Sequence, residues 1–156
     1  MKLLVVSDTH GDAGQLERAI EQEKDADALI FLGDGFRDTE DIEYLYPNMK
    51  IYLVSGNCDT GCYAPTEGLS PFGGILFFYT HGHMYDVKNG LYKIAYAAKQ
   101  RGADVVLFGH THCAVTEKID GITLFNPGSL SAWCGRGTYG VITIRSGSAE
   151  FEHKKL

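Results

Sequence analysis

Five apolar, β-branched runs in this chain each lead directly into a short cluster of residues able to bind metal. The runs cover residues 3–6, 29–32, 51–54, 75–79 and 105–108. The clusters read Asp8-Thr9-His10, Gly33-Asp34-Gly35, Gly56-Asn57-Cys58-Asp59, His81-Gly82-His83 and Gly109-His110-Thr111-His112. Apolar runs of strand length bounded by turn residues read as buried strands. In open α/β sheets, ligands bind where the carboxyl ends of the strands and their loops gather. A cluster at the same place after each of five strands therefore predicts one site, assembled by the fold from loops far apart in sequence.

The pattern between the runs sets the architecture. The periodicity predicts a strand over 3–7, a helix over about 13–24, and strands over 28–32 and 51–54, with a short helix at 39–46. Asp12 with Gln15 reads as a capping box for the first helix. Segments 68–71 and 75–79 form a hairpin across Phe72-Gly73-Gly74. Leu91, Ile94, Ala95 and Ala98 mark another helix, ending at Gly102, and 105–108 is a further strand. Hairpins across Asp120-Gly121 and Ser146-Gly147 complete the chain. A β-α-β-α-β start with a β-rich finish predicts an α/β fold: a four-layer α/β/β/α sandwich of two mixed sheets flanked by helices. No linker or repeat divides residues 1–156, which read as a single domain.

Charge and cysteine content narrow the function. The formal charge is −6, which argues against a surface for duplex nucleic acid, because such binding rests on Lys and Arg neutralising phosphates. A small phosphorylated ligand remains open, since bound metal ions reverse the local field. The longest apolar stretches are strand-sized, so no membrane span is expected. The N-terminus leads straight into a strand, leaving no room for a signal peptide, and a cytoplasmic location follows. Cys58, Cys62, Cys113 and Cys134 are then expected to stay reduced. Cys58 and Cys62 have a spacing seen in some zinc sites but lack a second pair. Cys113 and Cys134 read as buried or half-buried small apolar residues.

As ligands, the clusters offer Asp8, His10, Asp34, Asn57, His81, His110 and His112. Carboxylate, amide and imidazole donors without a thiolate suit Mn²⁺, Fe²⁺, Ni²⁺ or Zn²⁺ better than Ca²⁺, which takes oxygens only. Seven ligands exceed one tetrahedral site, so two ions sharing a bridging carboxylate is the economical reading.

The segments Ser7-Asp8-Thr9-His10-Gly11, Leu32-Gly33-Asp34, Gly56-Asn57-Cys58-Asp59, Thr80-His81-Gly82-His83 and Gly109-His110-Thr111-His112 match a known family in order, as does Asn126-Pro127-Gly128-Ser129. The chain resembles the calcineurin-like metallophosphoesterases, specifically their small single-domain phosphodiesterase branch, over residues 3 to about 144. That resemblance implies a first metal held by Asp8, His10 and His112, and a second by Asn57, His81 and His110, with Asp34 bridging. It implies two divalent transition-metal ions, manganese foremost with nickel, iron or zinc as alternatives. A hydroxide between them would attack a small phosphodiester in line, with Asn57 and the metals stabilising the developing charge.

One position departs from the larger phosphatases of the superfamily. Where they carry a histidine that helps protonate the leaving group, this chain has Cys58, as in the small phosphodiesterase branch. A positioned general acid is worth about 10²–10⁴ in rate, so esters with good leaving groups are the expected substrates. His83, the remaining histidine near the site, is the other candidate for that proton or for a contact to substrate phosphate. Thus Asp34 and Asn57 are expected to be catalytic, with Cys58 and His83 in auxiliary roles.

Around the site, Asp59 and Thr111 are expected to orient loops, and the turn at 126–129 to fix the loop beneath the metals. Arg37 is expected to be a solvated charge or a partner to Asp38, with a contact to phosphate as the alternative, and His153 to lie at the surface. Trp133 and Tyr139, in the Gly-rich stretch 133–140, suggest a contact surface or flap, and a homo-oligomer is open. A phosphomonoesterase or nucleotide phosphatase on the same site is the alternative enzyme. A non-catalytic interaction scaffold is the alternative of another class, as in the retromer subunit of this fold.

Overall fold

The computed structural model describes residues 1–133 and 137–156. The first sheet contains β1 (Lys2–Val6), β2 (Ala28–Phe31), β3 (Lys50–Leu53), β9 (Thr138–Arg145) and β10 (Ser148–Lys155), in the order β10-β9-β1-β2-β3. The second contains β4 (Glu67–Phe72), β5 (Ile75–Thr80), β6 (Val105–Leu107), β7 (Ala114–Ile119) and β8 (Ile122–Pro127), in the order β4-β5-β6-β8-β7. In each sheet three neighbouring strands run parallel, β1-β2-β3 in one and β5-β6-β8 in the other, and the remaining pairings are antiparallel. Helix α1 spans Ala13–Gln22, α2 Ile42–Leu45 and α3 Tyr92–Gln100.

Side-chain alternation along the strands separates the layers. Leu3 and Val5 of β1 face Phe77, Tyr79, Val105 and Leu107 in a core between the sheets. Leu4 and Val6 face the other way, against Leu16, Ala19 and Ile20 of α1. On the second sheet, Phe78, Val106 and Leu124 pack against Ile94, Ala95 and Ala98 of α3. The fold is thus the four-layer sandwich of two mixed sheets with helices outside. Among the described residues no helix is long and apolar enough to cross a membrane.

Several local expectations change. The Asp12 side chain makes no cap bond to α1; its Oδ2 accepts from the Ala132 amide at 3.3 Å, which ties the helix start to the C-terminal loop. The helix expected at 39–46 is a 3₁₀ turn at Phe36–Thr39 followed by the single turn of α2. Tyr139 is not surface: only 1 % exposed, it packs under α1, with its hydroxyl on Glu23. Trp133 is 89 % exposed, Cys113 is exposed as well, and Cys134 lies outside the described residues.

Candidate metal centre

All five polar clusters follow the carboxyl ends of parallel strands: β1, β2 and β3 in one sheet, β5 and β6 in the other. Sheet hydrogen bonding continues into the loops, with the Asp8 amide donating to Gly33 O, His10 to Asp34 O and Gly109 to His81 O, each at 3.0 Å. Two further bonds join the sheets at the site. The His110 amide donates to Asp8 Oδ2 at 3.0 Å, and His81 Nδ1 lies 2.7 Å from Leu32 O. Because a carbonyl only accepts, His81 Nδ1 carries a proton. Against burial, the Asp34 and Asp8 carboxylates favour a second proton on Nε2. It is that proton's place, turned to the centre, that a cation would take.

The backbone is strained at these positions. Asp8, His10, Asp34, His110 and His112 all adopt φ between 49° and 67°. Left-handed backbone costs a non-glycine residue about 1–2 kcal/mol. Such strain persists only where surrounding structure enforces it, and it clusters at functional sites. The loops also approach closely: a Cβ at Gly56 would collide with the Asp34 carboxylate, and one at Gly109 with Ser7 Oγ and Asp8 Oδ2.

Three groups of donor atoms result, each within 4.8 Å of one another: Asp8 with His10 and His112, His10 with Asp34 and Cys58, and Asp34 with His81 and His110. Asp8 is fully buried; its Oδ2 accepts from Ser7 Oγ at 2.6 Å and from the His110 amide. Its Oδ1 is buried with no hydrogen-bond partner among the described residues. That oxygen faces His112 Nε2 at 3.2 Å, His10 Nε2 at 3.7 Å and His81 Nε2 at 3.9 Å. Asp34 Oδ1 is held by the Cys58 amide at 2.7 Å, while Oδ2 faces His81 Nε2 at 3.4 Å and His10 Nε2 at 4.0 Å. The imidazoles converge as well, with 3.2 Å between His10 Nε2 and His112 Nε2 and 3.2 Å between His81 Nε2 and His110 Nδ1.

This arrangement fits a divalent cation. A buried, unpartnered carboxylate oxygen is costly unless something compensates it. Here it is surrounded by ring nitrogens whose lone pairs suit borderline metals. Asn57 is exposed in the β3 loop, with its Nδ2 donating to Cys58 Sγ at 3.3 Å.

Protonation follows the same crowding. Burial would raise the Asp8 carboxyl, but the imidazoles of His10, His112 and His81 and the Ser7 hydroxyl hold it well below the usual range. Burial opposes ionisation of Asp34 too, yet His81 and the Cys58 amide lower it to about 2. His110 is pushed down to about 4 by burial and then by the charges of His81 and Lys88. Burial and Asp34 push the Cys58 thiol up to about 11. His83, also lowered by burial and His81, has its ring 5.5 Å from that of His81 and a buried, unpartnered Nδ1.

The loops are braced from behind, as expected of Asp59, Thr111 and the turn at 126–129. Asp59 accepts four backbone amides: Asp34, Gly56 and Gly35 at 2.8 Å and Phe36 at 2.9 Å. It thereby locks the loops after β2 and β3 together. Asp38, a candidate partner of Arg37, accepts instead from Thr9 Oγ1 and the Gly11 amide. Asn126 Nδ2 donates to Gly109 O at 2.9 Å and to Thr111 Oγ1 at 3.0 Å, and Ser129 Oγ to Asp8 O at 2.9 Å. His153 is exposed, but its Nε2 lies 2.8 Å from Asn126 O and its ring stacks on Phe125. Glu67, Tyr85 and Arg101 form a hydrogen-bonded cluster beside the His83–Tyr85 turn. The five polar clusters, with Asp59 among them, and the turn at 126–129 signalled this region in sequence. Of the bracing aspartates only Asp38 looked like an ordinary loop residue.

Residues 1–147 match the calcineurin-like phosphoesterase superfamily domain. The chain is 34 % identical over 153 residues to the probable metallophosphoesterase YsnB of Bacillus subtilis, covering 96 % of this chain and 88 % of that protein. It is 32 % identical over 156 residues to the phosphodiesterase YfcE of Escherichia coli, covering 84 % and 80 %. The structure of Vps29 from Entamoeba histolytica complexed with zinc has a TM-score of 0.78 at 19 % identity, covering 99 % of this chain and 98 % of that one. That likeness shows a shared fold. The chain belongs to the calcineurin-like phosphoesterase superfamily, whose members use divalent metals.

Proposed function

We propose that this protein is a phosphodiesterase that holds two divalent cations, Mn²⁺ foremost, and hydrolyses a small phosphodiester. The observation that carries this reading is the position of Asp34: its carboxylate belongs both to the group with His10 and Cys58 and to the group with His81 and His110. One site would use Asp8, His10 and His112, the other Asn57, His81 and His110, with Asp34 common to both. When bound, such a pair supplies a water of lowered pKa and neutralises charge on the phosphoryl oxygens of an in-line displacement.

The chain's own residues do the rest. The Leu32 carbonyl fixes the His81 tautomer, and the Cys58 amide fixes the rotation of the Asp34 carboxylate. The Asn57 amide, in the same loop, would donate to a phosphoryl oxygen as charge develops. Neither auxiliary residue is a strong acid at neutral pH. Cys58 holds its proton up to about 11, and His83, lowered, is a neutral imidazole. A weak proton donor leaves the departing oxygen to carry its own charge, which favours phosphodiesters of acidic alcohols over alkyl phosphomonoesters.

The test is hydrolysis of bis(p-nitrophenyl) phosphate by Mn²⁺-loaded protein, alongside Asp34→Asn and His81→Ala. Wild-type turnover lost in both variants supports the reading. An inert wild-type protein, with or without Mn²⁺, would favour the interaction-scaffold alternative that the Vps29 fold neighbours raise.

A further inference from the structure

One edge of the donor set opens into a cleft of about 540 Å³. His10, Asp34 and Cys58 line it, and so do Phe36, Arg37 and Tyr63, which belong to no donor group. A phosphoryl group with a methyl ester would leave most of that space empty, whereas clefts of this size hold whole small molecules.

The added lining carries two aromatic rings and one cation beside the carboxylates of Asp38, Glu40 and Asp59. Phe36 is 9 % exposed and meets the Tyr63 ring edge-on, with centroids 5.3 Å apart and planes at 80°. Tyr63 is 91 % exposed, so this contact steadies the ring while leaving nearly all its surface uncovered. Among the described residues, Arg37 is the only Lys or Arg in the lining and forms no ion pair. Two neighbouring carboxylates are committed elsewhere, Asp38 to Thr9 and Gly11 and Asp59 to four amides. A planar guanidinium and an uncovered phenol ring beside a phosphate-binding centre both stack on aromatic and heteroaromatic rings.

We propose that this cleft is a ring-binding subsite. The substrates of the centre are phosphodiesters bearing a planar aromatic or heteroaromatic group, as nucleotide-derived esters do, seated against Tyr63 and Phe36 beside Arg37. This rests on the phosphodiesterase reading above and adds the substrate class to it.

Calorimetric titration of Mn²⁺-loaded protein with adenosine 5′-monophosphate and with ribose 5-phosphate isolates the ring, because the two share the phosphate and the sugar. The nucleotide should bind about tenfold more tightly, the magnitude of one good stacking contact. Tyr63→Ala should erase that ratio and leave ribose 5-phosphate affinity unchanged, while Tyr63→Phe keeps the ratio. Tyr63 is nearly fully exposed, so neither change threatens the fold. Equal affinities in the wild type, or a ratio that survives Tyr63→Ala, would overturn the subsite. Parallel bis(p-nitrophenyl) phosphate hydrolysis separates the two readings. Turnover with equal affinities removes the subsite alone. A Tyr63-dependent ratio without turnover keeps the ring-binding cleft and removes the phosphodiesterase.

Discussion

The backbone amide of Cys58 donates to Asp34 Oδ1 at 2.7 Å, and that bond turns Oδ2 toward His81 at 3.4 Å and His10 at 4.0 Å. The loop after β3 thus aims the carboxylate of the loop after β2. Cys58 contributes through its peptide whatever its side chain does, so the Cys58 side chain can be exchanged without losing this contact.

That exchange gives the first prediction. With only Cys58 and neutral His83 near the leaving group, the hydrolysis rate of aryl phosphodiesters should fall steeply as the leaving-group pKa rises. Cys58→His should flatten the slope and speed the poorest substrates by about 10–100-fold, the low end of general-acid catalysis. A flat response in the wild type would contradict the account.

Asp59 should behave as a structural keystone. Asp59→Ala leaves four backbone amides without their acceptor. Charge-assisted bonds of this kind predict a loss of about 2–4 kcal/mol, measurable by urea unfolding of metal-free protein. Mn²⁺ affinity should fall as well, since Asp34 and Gly56 are both released.

Asn126 acts on the metal loop from behind. Asn126→Ala removes its bonds to Gly109 O and Thr111 Oγ1 and frees the Gly128 amide. Removing a group that orients metal ligands costs about 10–100-fold in metal affinity. Competition with a fluorescent chelator would read that loss directly.

Acid sensitivity should arise partly away from the site. Glu23, at the end of α1, is 3 % exposed and meets Lys2 at 2.7 Å, Lys154 at 2.9 Å and the Tyr139 hydroxyl at 2.8 Å. Burial disfavours its charge, but Lys154, Lys2 and Tyr139 together lower its pKa from 4.5. A carboxylate with a depressed folded pKa stabilises the protein above its unfolded value and loses that contribution as pH falls through the folded one. Glu23→Gln should therefore cost about 2 kcal/mol at pH 7, below the fully buried range because both lysines reach water. The difference from wild type should shrink in the acid range below 4.5. A penalty independent of pH in urea titrations would contradict this.

Much of the fold could be read from sequence because its central strands are buried on both faces. Leu3 to Val6 and Val105 to Leu107 are continuous apolar runs, so strand positions and the carboxyl-end location of the polar residues followed directly. That Asp59 orients loops and that the turn at 126–129 fixes the metal loop could be read as well; what escaped were the particular distant groups these side chains reach. Asp59, Asp38 and Asn126 each brace a loop from another strand, and no local pattern encodes a partner 15 to 29 residues away. Asp12 shows the reverse failure: a well-formed capping signal whose side chain was taken by Ala132. Tyr63 gave no periodic signal, because its importance depends on the cleft that it lines.

Metal content measured by mass spectrometry after equilibration with Mn²⁺ and removal of free ion tests the shared role of Asp34 most directly. The account predicts two ions per chain in the wild type and at most one in Asp34→Asn, whose circular dichroism should stay native. A single ion in the wild type, or two retained by Asp34→Asn, would contradict it.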